Sequence, residues 1–146
     1  MRAQQGFTLV EILIVVVILG ILAAIVIPQF TEASTEAKLS SLCSDLQTVR
    51  SQIELYKVQH NDAMPGTAAG VSFTKAMTGG TTLAGAIDAA APYDYGPYLQ
   101  CIPKNPFTDT NTVETGTGAP GAGNNAWYFN TTTGTFNADD DAHKAY

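Results

Sequence analysis

Gly6-Phe7-Thr8-Leu9-Val10-Glu11, then an apolar run from Ile12 to Ile27, then Pro28, is the stretch that decides the fold. No charged side chain interrupts the run between Ile12 and Ile27. At ~1.5 Å rise per residue a helix from Phe7 to Ile27 is about 31 Å long, enough to cross the hydrocarbon core of a bilayer. Arg2 precedes it, and Glu32 and Glu36 follow. The positive-inside rule therefore places the N-terminus in the cytoplasm and the remainder of the chain outside. A secretory signal peptide, cut near Leu22-Ala23-Ala24, is the competing reading.

Two features oppose a discarded signal peptide. Helical periodicity continues past the apolar run, because Leu39, Leu42, Cys43, Leu46, Val49, Ile53 and Tyr56 recur at steps of three and four. One helix thus reads from about Phe7 to about Gln59, interrupted by Pro28, where a kink or local melting is expected. The second feature is Glu11. A carboxylate at the head of an apolar run is costly in lipid unless it finds a partner, and no Lys, Arg or His lies within helical reach inside the run. Cleavage after Gly6 would create such a partner in the α-amine of Phe7. That amine could meet its own Glu11 or the Glu11 of a neighbouring subunit; otherwise the carboxylate snorkels or stays protonated.

These residues resemble the type III signal peptides of type IV pilins and pseudopilins. The glycine–phenylalanine junction, the acid five residues into the mature chain, the apolar run and the proline all coincide with that pattern. In that family a membrane prepilin peptidase cuts after the glycine on the cytoplasmic side and methylates the new amine. A cytoplasmic assembly ATPase, acting through an inner-membrane assembly platform, then draws the mature helices out of lipid into a filament core. The resemblance implies cleavage at Gly6, N-methylation at Phe7 and assembly through Glu11. It also implies partners: other copies of the chain, minor pseudopilins, and membrane lipid before assembly.

Elementary physics points the same way. Outside lipid, a helix apolar on every side must be covered, since burial is worth ~25 cal/mol per Å² and only a bundle of like helices offers enough cover. Gly20 and Ala24 form a small-xxx-small pair that permits close helix approach, although a glycine is also simply tolerated in a membrane helix. The stretch between Gly20 and Pro28 combines a glycine with a proline-disturbed turn, and the resemblance implies that this region can lose helicity in the filament.

The rest of the chain bounds the function. With 45% hydrophobic residues, 14% charged residues and a net charge of -6, it is neither a disordered acidic tail nor a nucleic-acid binder. We divide it into a leader (1–6), a membrane and filament-core helix (7–30), an amphipathic helix (31–60) and a small globular part (61–146). His60 to Gly66 is a turn cluster that ends the helix, and Ser72 caps a short helix to Met77. Tyr98-Leu99-Gln100-Cys101-Ile102 has strand-like content. Trp127-Tyr128-Phe129-Asn130, a turn at 131–134, and Thr135-Phe136-Asn137 read as a β-hairpin with an aromatic face. The expected architecture is α+β and pilin-like, a long N-terminal helix packed against a small antiparallel sheet.

Pro97-Tyr98-Leu99 and Pro103-Lys104-Asn105-Pro106-Phe107 sharpen the resemblance toward the major pseudopilin of type II secretion, its G subunit. Asn105 stands where aspartate is usual there, and Phe107 where tryptophan is usual. Type IV major pilins often close a C-terminal loop with a disulfide, and this chain has no cysteine after Cys101. The reading is a structural subunit of a type II secretion pseudopilus, in the inner membrane and then in a periplasmic filament. A surface type IV pilus subunit and a secreted soluble binding protein or enzyme are the alternatives.

Chemistry is otherwise sparse. Two cysteines in an exported domain suggest a Cys43–Cys101 bridge, with two buried free thiols as the alternative. Gly116-Thr117-Gly118-Ala119-Pro120-Gly121 matches a dinucleotide fingerprint literally, but lacks the preceding apolar strand and the following helix, so it reads as a flexible loop. His60 and His143 lack the spacing that zinc or nucleophilic catalysis needs, and read as a solvated helix end and a tail residue. Asp139-Asp140-Asp141 is either a solvated acidic tail or a Ca²⁺ loop, since the resembled G subunits bind calcium near the C-terminus. No enzymatic activity and no required cofactor are expected.

Overall fold

The computed structural model describes residues 6–90, 92–121 and 125–146. Arg2 and the rest of the leader before Gly6 lie outside the described residues. The first element, α1 (Leu9–Gln59), is a single 51-residue helix. It crosses Gly20 and Pro28 without a break, so the expected melting is absent from the single chain. Pro28 lacks an N–H, so one intrahelical hydrogen bond is lost there while the turns on both sides stay helical. The chain divides into two compact units, Met1–Lys38 and Leu39–Tyr146.

In the second unit the stripe of α1 behaves as its periodicity predicts. Leu42, Leu46, Val49, Ile53 and Tyr56 are buried. They join one core with Phe73, Ala76 and Met77 of α2 (Phe73–Thr78), with Ile102, and with Trp127, Phe129 and Phe136. Ser72 caps α2 as expected, its hydroxyl accepting from the Lys75 N–H at 3.3 Å.

The strands are β1 (Gly80–Thr81), β2 (Ile87–Asp88), β3 (Val113–Gly116), β4 (Trp127–Asn130) and β5 (Phe136–Ala138). β1 and β2 pair antiparallel. The larger sheet has the order β3-β4-β5, with β4 and β5 forming the expected hairpin. Its turn is closed by Asn130, whose Oδ1 accepts from the Thr132 and Thr133 N–H groups at 2.9 Å each, and by Gly134 at φ +75°, a left-handed conformation that glycine adopts without strain.

Four expectations are corrected. The sheet is mixed, because β3 runs parallel to β4, with Val113 opposite Trp127 and Gly116 opposite Asn130. Residues 98–102 form no strand. The Tyr98 and Leu99 N–H groups instead donate to the Met77 carbonyl at 3.0 and 2.9 Å, filling an open acceptor at the end of α2. His60 is 2% exposed, not solvated. Its ring stacks on Tyr56 at 3.9 Å, and its nitrogens lie 2.9 Å from the Tyr56 carbonyl and 3.0 Å from Thr81 Oγ1.

The fourth correction concerns the cysteines, which are both free and both exposed. Leu42 holds the core-facing position, and the next residue of a helix lies ~100° further round, so the Cys43 side chain is turned away from the core. Maleimide added to unreduced native protein is expected to label Cys43 and Cys101 alike; a peptide pair linked through them would contradict this.

Candidate assembly site

The N-terminal end of α1 is built by its own sequence. Thr8 precedes the first helical residue, and its Oγ1 accepts from the Glu11 N–H at 3.2 Å. The Glu11 Oε2 in turn accepts from the Thr8 N–H and the Thr8 hydroxyl, each at 3.3 Å. This is a reciprocal capping box, which satisfies two of the donors that a helix start leaves open. The Thr-x-x-Glu spacing in the sequence is the signal for it. Thr8 is therefore a site residue that sequence reasoning missed.

Every described residue from Gly6 to Lys38 is exposed. Phe7 is 80% accessible, Leu9 82% and Phe30 74%. The helix has one stretch long and apolar enough to cross a membrane, and none of it is buried within the chain. A Cβ built on Gly6 or on Gly20 meets nothing within 4 Å. Nothing in the fold of the single chain demands glycine at either place, so any demand arises when another molecule approaches.

At the far end, the three consecutive aspartates take three different environments. Asp139 is wholly buried, with its Oδ1 accepting from the Gly121 N–H at 2.9 Å and its Oδ2 from the Asn125 N–H at 3.3 Å. Asp140 receives the His143 N–H at 3.0 Å and also contacts the His143 Nδ1. The His143 ring stacks on Phe107 at 3.8 Å. Lys144 donates to Asp141 Oδ1 at 2.8 Å, which holds that exposed carboxyl below its ordinary range. Neither the solvated tail expected for Asp139 nor the loose tail expected for His143 is observed. A short polar run looks solvated in sequence, whereas Asp139 is dry and receives the N–H groups of Gly121 and Asn125.

The segment around Pro103 is fastened to β4. Asn105 is wholly buried, and its Nδ2 donates to the Ala126 carbonyl at 2.9 Å. Its Oδ1 accepts from the Phe107 N–H at 2.9 Å. Trp127 Nε1 donates to the Pro103 carbonyl at 2.9 Å.

Residues 1–27 match the prokaryotic N-terminal methylation motif. The type II secretion system core protein G of Pseudomonas aeruginosa is 43% identical over 79 residues, 53% of this chain and 55% of that protein. The Klebsiella pneumoniae protein of the same name is 33% identical over 107 residues, 73% of this chain and 71% of that protein. The chain belongs to the type II secretion system core protein G family. The Vibrio cholerae family member is also 33% identical over 107 residues, 73% of this chain and 68% of its own. The chain thus spans about half the length of the Pseudomonas relative and about two thirds of the others. No solved structure matches it significantly.

As a pseudopilin, the chain carries its departures at informative places. Asn105 uses an amide hydrogen that aspartate lacks, and Phe107 supplies the face on which His143 stacks. Ca²⁺ takes roughly six to eight oxygens, while among the described residues no three His, Cys, Asp or Glu side chains converge to hold a metal.

Proposed function

We propose that this pseudopilin is a structural, non-enzymatic subunit of a type II secretion pseudopilus, assembled from the inner membrane and supporting protein export across the outer membrane. The observation that carries the reading is the exposed apolar half of α1, headed by a carboxylate that is hydrogen-bonded to Thr8. Such a surface is stable in lipid or within a bundle of like helices, and unstable in water. Family membership favours the pseudopilus over a type IV pilus.

In this reading a prepilin peptidase cuts between Gly6 and Phe7, and the Phe7 amine becomes N-methylated. The chain waits in the inner membrane as a single span, its N-terminus cytoplasmic and residues 31–146 periplasmic. Copies then enter a helical filament with minor pseudopilins, driven by the assembly platform and, indirectly, by the cytoplasmic ATPase. Glu11 gives up contacts to Thr8 for the amine of Phe7, and the stretch from Gly20 to Pro28 relaxes as helices crowd together. No step requires nucleic acid or a cofactor.

Intact mass tests the first step. Cleavage after Gly6 with one added methyl is expected, whereas ordinary signal peptidase would remove the whole apolar run. Replacing Gly6 by leucine is expected to leave full-length protein accumulating in the inner membrane. The vacant space around Gly6 lets the chain itself accept the side chain, so a block must come from the peptidase. Normal trimming of Gly6→Leu would refute this processing route.

A further inference from the structure

We propose that the C-terminal turn of this pseudopilin is closed by the chain's own N–H donors and the Lys144 ammonium in place of a calcium ion, so that folding of the globular unit does not require the metal. The acids that would have to supply ligands are already engaged. Both oxygens of the buried Asp139 face backbone N–H groups, of Gly121 at 2.9 Å and of Asn125 at 3.3 Å. Those positive N–H ends compete with a cation for the same lone pairs. A calcium ion would need the oxygens at about 2.3–2.6 Å, within a shell of other oxygens.

The neighbouring carboxylates are matched in the same way. Asp140 is paired with His143 and Asp141 with Lys144. The Lys144 side chain also fills the space beside the loop. Its Cδ lies 2.7 Å, and its Nζ 3.2 Å, from where a Cβ on Gly121 would stand. Gly121 has φ +112°, so the bare backbone is what lets the lysine stem lie against it. An ammonium thus stands at the acidic corner, and a divalent cation would have to enter against it. Among the described residues, one buried carboxylate oxygen, Asp140 Oδ2, has no hydrogen-bond partner. A single open oxygen falls far short of a calcium shell. The turn is held by backbone donors, the His143 ring and the Lys144 ammonium, which remain present when the medium contains no metal.

The test uses the full chain in detergent, stripped with EGTA, and follows thermal unfolding of the globular unit with and without millimolar CaCl₂. The expected result is the same Tm in both. A site filled a hundredfold above its Kd would raise Tm by roughly 10 °C for a unit of this size, and a rise of that order overturns the proposal. Asp139→Asn supplies a second arm. Asparagine offers one acceptor and turns an NH₂ toward a backbone N–H, so its Tm should fall equally in EGTA and in calcium. A loss confined to calcium-containing buffer, or no loss in either, overturns the assignment to Asp139. The metal titration of the wild-type chain decides the question even where Asp139→Asn does not fold. Neither arm depends on whether the chain builds a pseudopilus.

Discussion

Glu11→Ala is expected to leave membrane insertion and cleavage after Gly6 intact while abolishing addition of subunits to the filament. Insertion should survive because the change makes the apolar run more apolar. Assembly should fail because an incoming subunit brings a positive Phe7 amine out of water and into a bundle of aliphatic helices. Removing one partner of a desolvated pair costs ~3–5 kcal/mol, more than a hundredfold at each interface. Pairing would also set axial register, since the remaining helix surface is aliphatic and slides with little change in contact.

The capping box gives Glu11 a second role that Glu11→Gln separates from the first. Glutamine still accepts from the Thr8 N–H and hydroxyl, which Glu11 engages at 3.3 Å each, and it serves a capping box about as well as glutamate. It carries no charge for the amine. Defective assembly in both variants therefore assigns Glu11 to charge pairing, whereas defective Glu11→Ala with normal Glu11→Gln assigns it to helix capping. Sheared-filament yield from overproducing cells, normalised to membrane levels, is the measurement. Wild-type yield from Glu11→Ala would show that apolar packing assembles the filament unaided.

Asn105→Asp should be among the most destabilising single-atom exchanges available in the globular unit, although it restores the residue usual in the resembled segment. The buried Asn105 amide donates to the Ala126 carbonyl at 2.9 Å. An ionised carboxylate there would face that carbonyl oxygen with no donor between them. The buried, unpaired charge costs about 2–4 kcal/mol, or roughly 10 °C in Tm for a unit of this length. Burial raises the folded-state pKa of the introduced acid above its unfolded value. The protonated acid can donate to Ala126, so the deficit should be smallest below the unfolded pKa and should grow as pH rises through the raised folded value. Thermal melts of variant and wild type across the acid range check this. A deficit that does not change with pH would mean that the carboxylate reaches solvent.

What could be read from the chain alone was whatever depends on near neighbours along it. The period of Leu42, Leu46, Val49, Ile53 and Tyr56 marked the buried face of α1, and all five are buried. The Ser72 cap and the hairpin of Trp127 to Ala138 rest on contacts within a few residues, and both form where expected. The membrane-length run and its junction at Gly6 also carry their meaning in order and spacing, which is why the family was legible before any coordinates. Thr8 belongs with these, since its box with Glu11 is local and its spacing was readable.

Most of what was misread depends on residues distant in sequence. His60 looked solvated because its turn is polar, but Thr81 covers one nitrogen and Tyr56 stacks against its ring. β3 holds few apolar residues and pairs parallel to β4 through a connecting loop, an arrangement no local pattern announces. Asp139 is buried and receives the N–H groups of Gly121 and Asn125, 18 and 14 residues earlier in the chain. Cys43 and Cys101 suggested a bridge by their number, whereas helix phase and the surface position of Cys101 keep both exposed. Helix, stripe and hairpin follow from short-range spacing, so they are written along the chain. Which polar groups are dry, and what satisfies them, is settled by loop closure over long separations, where the free energy lies in contacts that exist only once the unit has packed.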